Sequence, residues 1–360
     1  MLPWSAGPSG LGHTLALPRE PRNGRAAGSL CRAAGKGPWA AVDALSDLLR
    51  VLRFTGGVFL DATFRTPWCV YSQVTREDCT PDTPSASLVA FHYVLDGHVE
   101  ISIGDAPPRA CRAGDLIVVV RNDVHRFGSD LTLPPMHVES ILREASHEDV
   151  AQLDTGNGDD VISRFVCGYL GTSVKSHPLL DALPDLLVAN VRERPCAEWV
   201  ESSFRFAART HVAHQPGAQD VLARLSELLF VEAVREYIEH LPPEGTDWLS
   251  ALRDPPLARA LSALHGRVAH PWTTEQLADE ALMSRSAFAE RFARTLGVPP
   301  MTYLTRWRVL VAAQRLRESR ASIGQIAADV GYESESTFTR AYTREMGITP
   351  GAYRRSQPAA

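Results

Sequence analysis

Alternation between apolar and polar residues divides the chain into a β-rich first half and a helical last third. Between residues 54 and 147, Val99, Ile101 and Ile103 alternate with polar neighbours, and Gly97 completes an Asp-Gly hairpin signal. Several short strands with turns at this spacing predict an antiparallel barrel or sandwich. Residues 1–39 are rich in Gly, Pro, Ala and Arg without a hydrophobic period, which predicts a disordered tail.

Two apolar helical faces flank the β region. One begins near Val42, and the other runs from about Gln219 to Leu241, where a Pro-Pro pair ends it. The second helix is predicted to lie outside both domains, in a linker over residues 216–249. Its apolar stripe leaves two interpretations open, ordinary core packing or the seam of a homodimer, because such a face must be buried somewhere.

An internal repeat with a period of 49 to 50 residues follows the linker. Nine positions match in chemistry, which exceeds chance and indicates a duplication. The matched pairs are Gln276/Gln325, Leu277/Ile326, Ala278/Ala327, Ser284/Ser334, Phe288/Phe338, Phe292/Tyr342, Gly297/Gly347, Pro300/Pro350 and Tyr303/Tyr353.

Each copy has the pattern of a helix-turn-helix unit. Thr274 is predicted to cap a short helix, and Ser284 and Ser334 stand where an N-cap hydroxyl accepts from free backbone N–H groups. Gly297 and Gly347 fit the position after a helix, where a positive φ is needed. Two copies are too few for a helical solenoid, which needs three or more repeats.

The second helix of each copy is expected at residues 284–295 and 334–345. Its aromatic pair, four residues apart, turns inward, so that the opposite polar face is forced outward as a ridge. A long helix over residues 301–317 joins the copies. It can hold the two ridges at the spacing of successive major grooves, roughly 34 Å.

The charge distribution agrees with a polyanionic partner for this region. The whole chain carries −5, but residues 255–355 contain 14 Arg and no Lys against nine acidic residues, a balance of +5 that leaves −10 elsewhere. An apolar content of 44% and a charged content of 22% are ordinary for a globular protein. Six cysteines without a Cys-x-x-Cys pair, no secretory signal and no membrane span predict free thiols and a cytoplasmic location.

The second copy carries a dense set of motif residues, namely Trp307-Arg308, Ser322-Ile323, Ile326-Ala327, Val330-Gly331-Tyr332, Ser334, Ser336, Phe338, Arg340, Gly347, Pro350 and Tyr353-Arg354. Together with Met283–Phe288 in the first copy, they resemble the signature of the AraC-type transcription regulators. The resemblance covers about residues 250–356. It implies a DNA-binding domain in which the second helix of both units enters the major groove.

Carried over by position, the DNA-facing candidates on the two ridges are Ser286, Ala289, Glu290, Glu335, Ser336, Thr339 and Arg340. Arg340 is expected to read guanine O6/N7, and Glu290 and Glu335 to accept from cytosine N4. The phosphate candidates are Arg285, Arg294, Arg308 and Arg344, and the alternative for any single one of them is a surface ion pair.

A second set of residues lies in the β region, namely Phe91-His92, Gly97, Ala113-Gly114-Asp115-Leu116, His125, Cys167-Gly168 and Ala182-Leu183-Pro184. It resembles the cupin-type sensor of one branch of the same family and implies a small β-barrel, within a domain of residues 40–215, whose interior holds an effector. His92 and His125 are the ligand-binding candidates. Cupin metal sites need a His-x-His pair, but Val94 stands two residues after His92, so neither a metal nor a cofactor is predicted.

These observations predict an α+β multidomain protein, with a cupin-like antiparallel barrel, a linker helix and an all-α tandem helix-turn-helix domain. The predicted function is an effector-controlled transcription regulator without catalytic residues, and the family resemblance favours activation. Its partners would be promoter DNA, RNA polymerase and a small-molecule effector. The alternatives are a metal-dependent cupin enzyme with an appended helical domain, and a regulator whose barrel serves only to dimerise.

Overall fold

The computed structural model describes residues 40–52, 54–79, 83, 86–137, 151–155, 162–174, 177–194, 198–199, 202, 218–242, 245 and 247–356. The predicted tail at residues 1–39 lies outside them, as do Cys31 and Cys196. No described helix is both long and apolar enough to cross a membrane.

In the described part of the chain, the strands precede residue 191 and form two sheets. They are β1 (Thr55–Arg65), β2 (Cys69–Ser72), β3 (Ser87–Asp96), β4 (His98–Ile103), β5 (Arg109–Arg112), β6 (Asp115–Val119), β7 (His125–Gly128), β8 (Met136–His137), β9 (Ala151–Thr155), β10 (Ile162–Thr172) and β11 (Leu186–Asn190). One sheet has the order β11-β6-β3-β10-β1-β9 and the other β5-β4-β7-β2-β8. Their pairing is antiparallel except for β1 with β9 and β2 with β8.

The helices cover one sheet and build the C-terminal region. They are α1 (Ala40–Leu52), α2 (Pro178–Ala182), α3 (Ala218–His240), α4 (Trp248–Arg253), α5 (Pro255–Gly266), α6 (Thr274–Glu280), α7 (Arg285–Leu296), α8 (Pro300–Glu318), α9 (Ile323–Asp329), α10 (Glu335–Met346) and α11 (Pro350–Arg355). The prediction of a cupin-like barrel, a long helix and an all-α domain is confirmed.

The central strands of the larger sheet are buried on both faces. In β3, Ala90 and Val94 face the core between the two sheets, whereas Phe91 and Tyr93 face the helices. Because neighbouring side chains alternate between the faces of a strand, a strand covered on both sides shows an unbroken apolar run. The run from Leu116 to Val120 in and after β6 has the same cause.

The sequence predicted that helix α3 lies outside both domains, but in the structure it does not. It packs on β1, β10 and β11, and its buried residues, among them Leu222, Leu229 and Phe230, join the core on the helical side of the larger sheet. The interpretation as core packing is therefore correct for most of the apolar stripe. Two large apolar residues of this helix, Val221 and Leu228, remain exposed.

Candidate nucleic-acid interface

The first helix-turn-helix unit is formed by α6 and α7. Thr273 caps α6, since its hydroxyl accepts from the Gln276 N–H at 3.2 Å while Gln276 Oε1 accepts from the Thr273 N–H at 3.0 Å. The predicted cap, Thr274, is wrong by one residue. Leu277 and Ala278 are buried against the neighbouring helices, and the small side chain of Ala278 permits their close approach.

The capping residues of the second helix of each unit are those that the sequence predicted, although both helices run one residue later than predicted. Ser284 accepts from the Ala287 N–H at 3.4 Å and starts α7, while Ser334 accepts from the Thr337 N–H at 3.3 Å and starts α10. Gly297 follows α7 with φ 71° and Gly347 follows α10 with φ 74°. Both glycines hold the left-handed conformation that closes a helix. The aromatic pairs are buried on both helices.

The turn inside each unit also needs a left-handed residue, and the two copies supply it differently. In the second unit it is Gly331, with φ 87°, whereas the first unit has Leu282 at the matching position, with φ 57°. The Leu282 side chain is 80% exposed. Leucine therefore holds an unfavourable backbone conformation without gaining burial in return.

Leu282→Gly is expected to raise the free energy of unfolding by about 1 kcal/mol, because glycine adopts this backbone conformation without steric cost. Urea unfolding followed by tryptophan fluorescence measures the change. Leu282→Ala is the matched control, which loses the same exposed side chain but keeps a Cβ. An equal gain from both variants would show that the exposed side chain, and not the backbone, is responsible.

The outward faces of α7 and α10 are solvent-accessible ridges. Ala289 and Thr339 are half-buried at their bases, and the other predicted ridge residues are exposed, namely Arg285, Ser286, Glu290, Arg294, Glu335, Ser336, Arg340 and Arg344. Arg344 contacts Glu345 at 3.1 Å. Within the described part of the chain, Arg285, Arg294 and Arg340 make no ion pair or hydrogen bond, so their guanidinium groups are available for another molecule.

Arg308 differs from the other predicted phosphate contacts. Its Nε donates to the Val268 carbonyl at 3.0 Å and its Nη2 to the His270 carbonyl at 2.8 Å. The guanidinium also lies 5.6 Å from the centre of the Tyr332 ring. This half-buried side chain joins the loop before α6 to the second unit and so has a structural role, while a phosphate contact by Arg308 stays a prediction.

The connecting helix α8 belongs to the cores of both units. Tyr303, Leu304 and Trp307 pack into a core that continues through the first unit into the cupin domain. On another face of the same helix, Val309 and Leu316 pack into a separate core that belongs to the second unit. A single helix thus fixes the two ridges relative to one another. Among the described residues, only the first unit shares its core with the cupin domain.

Inside the barrel, His92 and His125 lie in direct contact. His92 Nε2 is 2.7 Å from His125 Nε2, and His92 Nδ1 is 2.8 Å from the Cys167 Sγ. His125 Nδ1 is 2.9 Å from the Asp123 carbonyl, which can only accept, so this nitrogen carries a proton. His92 Nε2 must then donate to His125, and the Cys167 thiol must donate to His92 Nδ1. The chain of hydrogen bonds therefore runs from the buried Cys167 thiol through His92 and His125 to the carbonyl of Asp123.

The electrostatics of this chain favour neutral groups. Burial lowers the pKa of His92 well below its usual value and that of His125 to about 4, and it raises the pKa of the Cys167 thiol. A thiol with a raised pKa is a poor nucleophile. Ligand binding at His92 and His125 stays a prediction, and it requires the hydrogen bond between their Nε2 atoms to open.

Comparison with known proteins covers both halves of the chain. Residues 43–239 match the family described as "Cupin", and residues 277–356 match the "Helix-turn-helix domain" family. A putative AraC-like transcription regulator of Streptomyces antibioticus is 33% identical over 319 residues, which are 87% of this chain and 99% of the relative. The chain belongs to the AraC-type transcription regulators with an N-terminal cupin domain.

A further relative agrees with this assignment. The HTH-type transcriptional regulator AlkR of Acinetobacter baylyi is 32% identical over 272 residues, which are 74% of this chain and 88% of AlkR. The solved DNA-binding domain of AdpA, in complex with a target DNA, is 32% identical and covers 28% of this chain and 91% of its own, with a TM-score of 0.28. This AraC-type protein is a DNA-binding transcription regulator and not a cupin enzyme.

Two contacts of this AraC-type regulator were missed by the sequence interpretation. Cys167 stood among the motif residues without a partner, yet strand register places it opposite His92. The sequence interpretation also missed the hydrogen bonds from Arg308 to two backbone carbonyls, although Gly331 is a signal of the space that this side chain needs. A Cβ at Gly331 would lie 2.6 Å from Arg308 Nη2, so the glycine leaves the space that this arginine occupies.

Proposed function

We propose that this regulator reads two adjacent half-sites of one promoter by placing α7 and α10 in successive major grooves. The observation that carries the proposal is that both polar ridges are exposed while one rigid helix, α8, is buried in the cores of both units. Arg340 reads guanine from the second ridge, and Arg285, Arg294 and Arg344 neutralise phosphates. Arg308 is left out of this set because two carbonyls already bind it.

Arg340→Ala is expected to weaken binding to the cognate promoter by roughly 1–3 kcal/mol, because a bidentate contact to guanine is lost. Fluorescence anisotropy of a labelled operator, identified first by genome-wide footprinting, measures the affinity. Binding to an unrelated duplex should change far less. Arg224→Ala, which removes an exposed arginine from α3, is the matched control and should bind as the parent does. Equal losses on both duplexes would remove Arg340 from base readout.

Arg294→Ala is expected to act on all DNA sequences alike. Loss of one phosphate contact should lower the slope of log affinity against log salt concentration by about 1, since one fewer counterion is released. Titrations over a range of salt concentrations, on cognate and unrelated duplexes, measure the slope. An unchanged slope would assign Arg294 to the solvated surface.

The remaining partners follow from the same proposal. The regulator activates transcription through RNA polymerase in the cytoplasm and responds to a small-molecule effector. Dimerisation through α3 would use the exposed residues Val221 and Leu228, which stand seven positions apart and so on one side of the helix. A protein that dimerises but binds no effector in a thermal-shift screen would favour a barrel that serves only for assembly.

A further inference from the structure

A cleft of about 960 Å3 lies between the cupin domain and both helix-turn-helix units. Helix α2 and the two residues after β10, Ser173 and Val174, form one wall, and one face of α8, with Trp307 and Leu310, forms another. A cavity of this size suits a small molecule. The cleft is separate from the DNA-binding ridges, because none of the predicted ridge residues lines it.

The remaining walls come from equivalent positions of the duplication. Leu296 and Val298 flank Gly297 after α7, and Met346 and Ile348 flank Gly347 after α10, with an offset of 50 residues in each case. Both units therefore present an apolar pair at equivalent positions, at the end of α7 or α10, to one shared cleft. Ile348 is 41% exposed and the other three are half-buried, so a ligand could still cover apolar surface here.

The charges at the cleft indicate the class of ligand. Its charged side chains are Asp181, Arg306 and Glu345. Arg306 Nε lies 3.5 Å from Glu345 Oε2 and so already has a counter-ion, while the second oxygen of Glu345 accepts from Arg344 at 3.1 Å. A charged ligand would have to displace this pair, and burying an unpaired charge against apolar walls is costly. An uncharged ligand avoids both costs.

We propose that the cleft binds an uncharged, mainly apolar small molecule that joins the ends of α7 and α10 to the cupin domain and so controls the fit of both ridges to DNA. This inference rests on the proposed function, since it identifies an effector site for that activity. A ligand that contacts the ends of both α7 and α10 stabilises the arrangement of the regulator that the ligand fits best. The affinity of the ligand is therefore coupled to the affinity of the regulator for DNA.

Nile red, an uncharged apolar dye, tests the site on the full-length protein. We expect saturable binding with a blue-shifted emission, and about tenfold weaker binding by Ile348→Asp, which places a charge in the wall. Met136→Asp is the matched control, because Met136 is 44% exposed but lies on the other sheet. Ala182→Trp fills the cleft from the cupin side and should also weaken binding. Equal binding by all four proteins would overturn the site.

Competition between decanol and decanoate tests the ligand class, since they share an apolar chain and differ in the charge of the head group. Decanol should displace Nile red at a lower concentration than decanoate. Displacement by decanoate at an equal or lower concentration would contradict an uncharged ligand and assign the cleft to an anion.

The coupling to DNA separates this inference from the proposed function. Decanol at a concentration that just saturates the parent should change the affinity for the operator by at least about fivefold in the parent and by much less in Ile348→Asp. Arg340→Ala should lose DNA affinity but keep Nile red binding, so that failure of DNA reading and failure of the cleft give different results. An unchanged operator affinity with decanol bound would refute control through the cleft.

Discussion

Acidification from about pH 7 to about pH 5 is expected to lower the free energy of unfolding by about 2 kcal/mol for each of three buried histidines. Burial lowers the pKa of His125 to about 4, and it lowers the pKa values of His177 and His265 to about 3, with a further contribution at His177 from the charge of Arg317. The unfolded chain takes up protons near pH 6.5, whereas the folded protein does not. Stability is therefore complete above pH 6.5 and declines as pH falls toward 3 to 4.

The combined loss from these three histidines, about 6 kcal/mol, is comparable to the whole stability of an ordinary protein, and the lowered pKa of His92 acts in the same direction. His177 precedes α2 of the cupin domain, and His265, on α5, stacks on Trp307 at 3.8 Å and contacts the Tyr303 hydroxyl at 2.9 Å. Both residues thus lie where the cupin domain meets the first unit. Urea unfolding at both pH values measures the loss.

Variants at two histidines separate buried from exposed sites. His265→Gln removes a group that titrates, so its stability should depend less steeply on pH between 5 and 7. His240→Gln, at an exposed position of α3, should leave the pH dependence unchanged. A His265→Gln protein with the parent's pH dependence would contradict the assignment of the acid loss to this residue.

Gly331→Ala is expected to lower the free energy of unfolding by about 3 kcal/mol. Alanine at φ 87° is strained, and its Cβ would lie 2.6 Å from Arg308 Nη2 and 2.7 Å from the Ala269 carbonyl. Arg308 would have to leave the Val268 and His270 carbonyls, which would lose their donor. Because these bonds join the two units, operator affinity should fall as well. Urea unfolding and operator anisotropy measure the two effects.

Gly104→Ala is the matched control for the backbone contribution. Gly104 also has a positive φ, 54°, but no atom lies within 4 Å of the position of an added Cβ. The Gly104→Ala protein should lose only the stability that the strained backbone costs, about 1 kcal/mol. In an Arg308→Ala background, Gly331→Ala should cost less than in the parent, because the clash with Arg308 has been removed and only the close approach to the Ala269 carbonyl remains. Equal losses at Gly331 and Gly104 would show that Arg308 is not the obstacle.

The sequence by itself determined the features that depend on neighbouring residues. Ser284, Ser334, Gly297 and Gly347 mark helix ends through hydrogen bonds and φ values that need only a few residues on either side. The aromatic spacing on α7 and α10 fixed which faces are buried, and therefore which polar residues form the ridges. The shift of the cap from Thr274 to Thr273 shows the limit of this reasoning, since either hydroxyl satisfies the local pattern.

The tertiary structure alone decided which distant groups meet. Strand pairing places Cys167 beside His92, and the fold of the barrel brings His125 to the same point, although 33 residues separate the two histidines along the chain. Packing of α3 on the sheet and capture of Arg308 by two carbonyls likewise depend on contacts between elements remote in sequence. An arginine on a polar helix face looks the same to a local pattern whether a phosphate or a carbonyl binds it, because only the surrounding backbone distinguishes them.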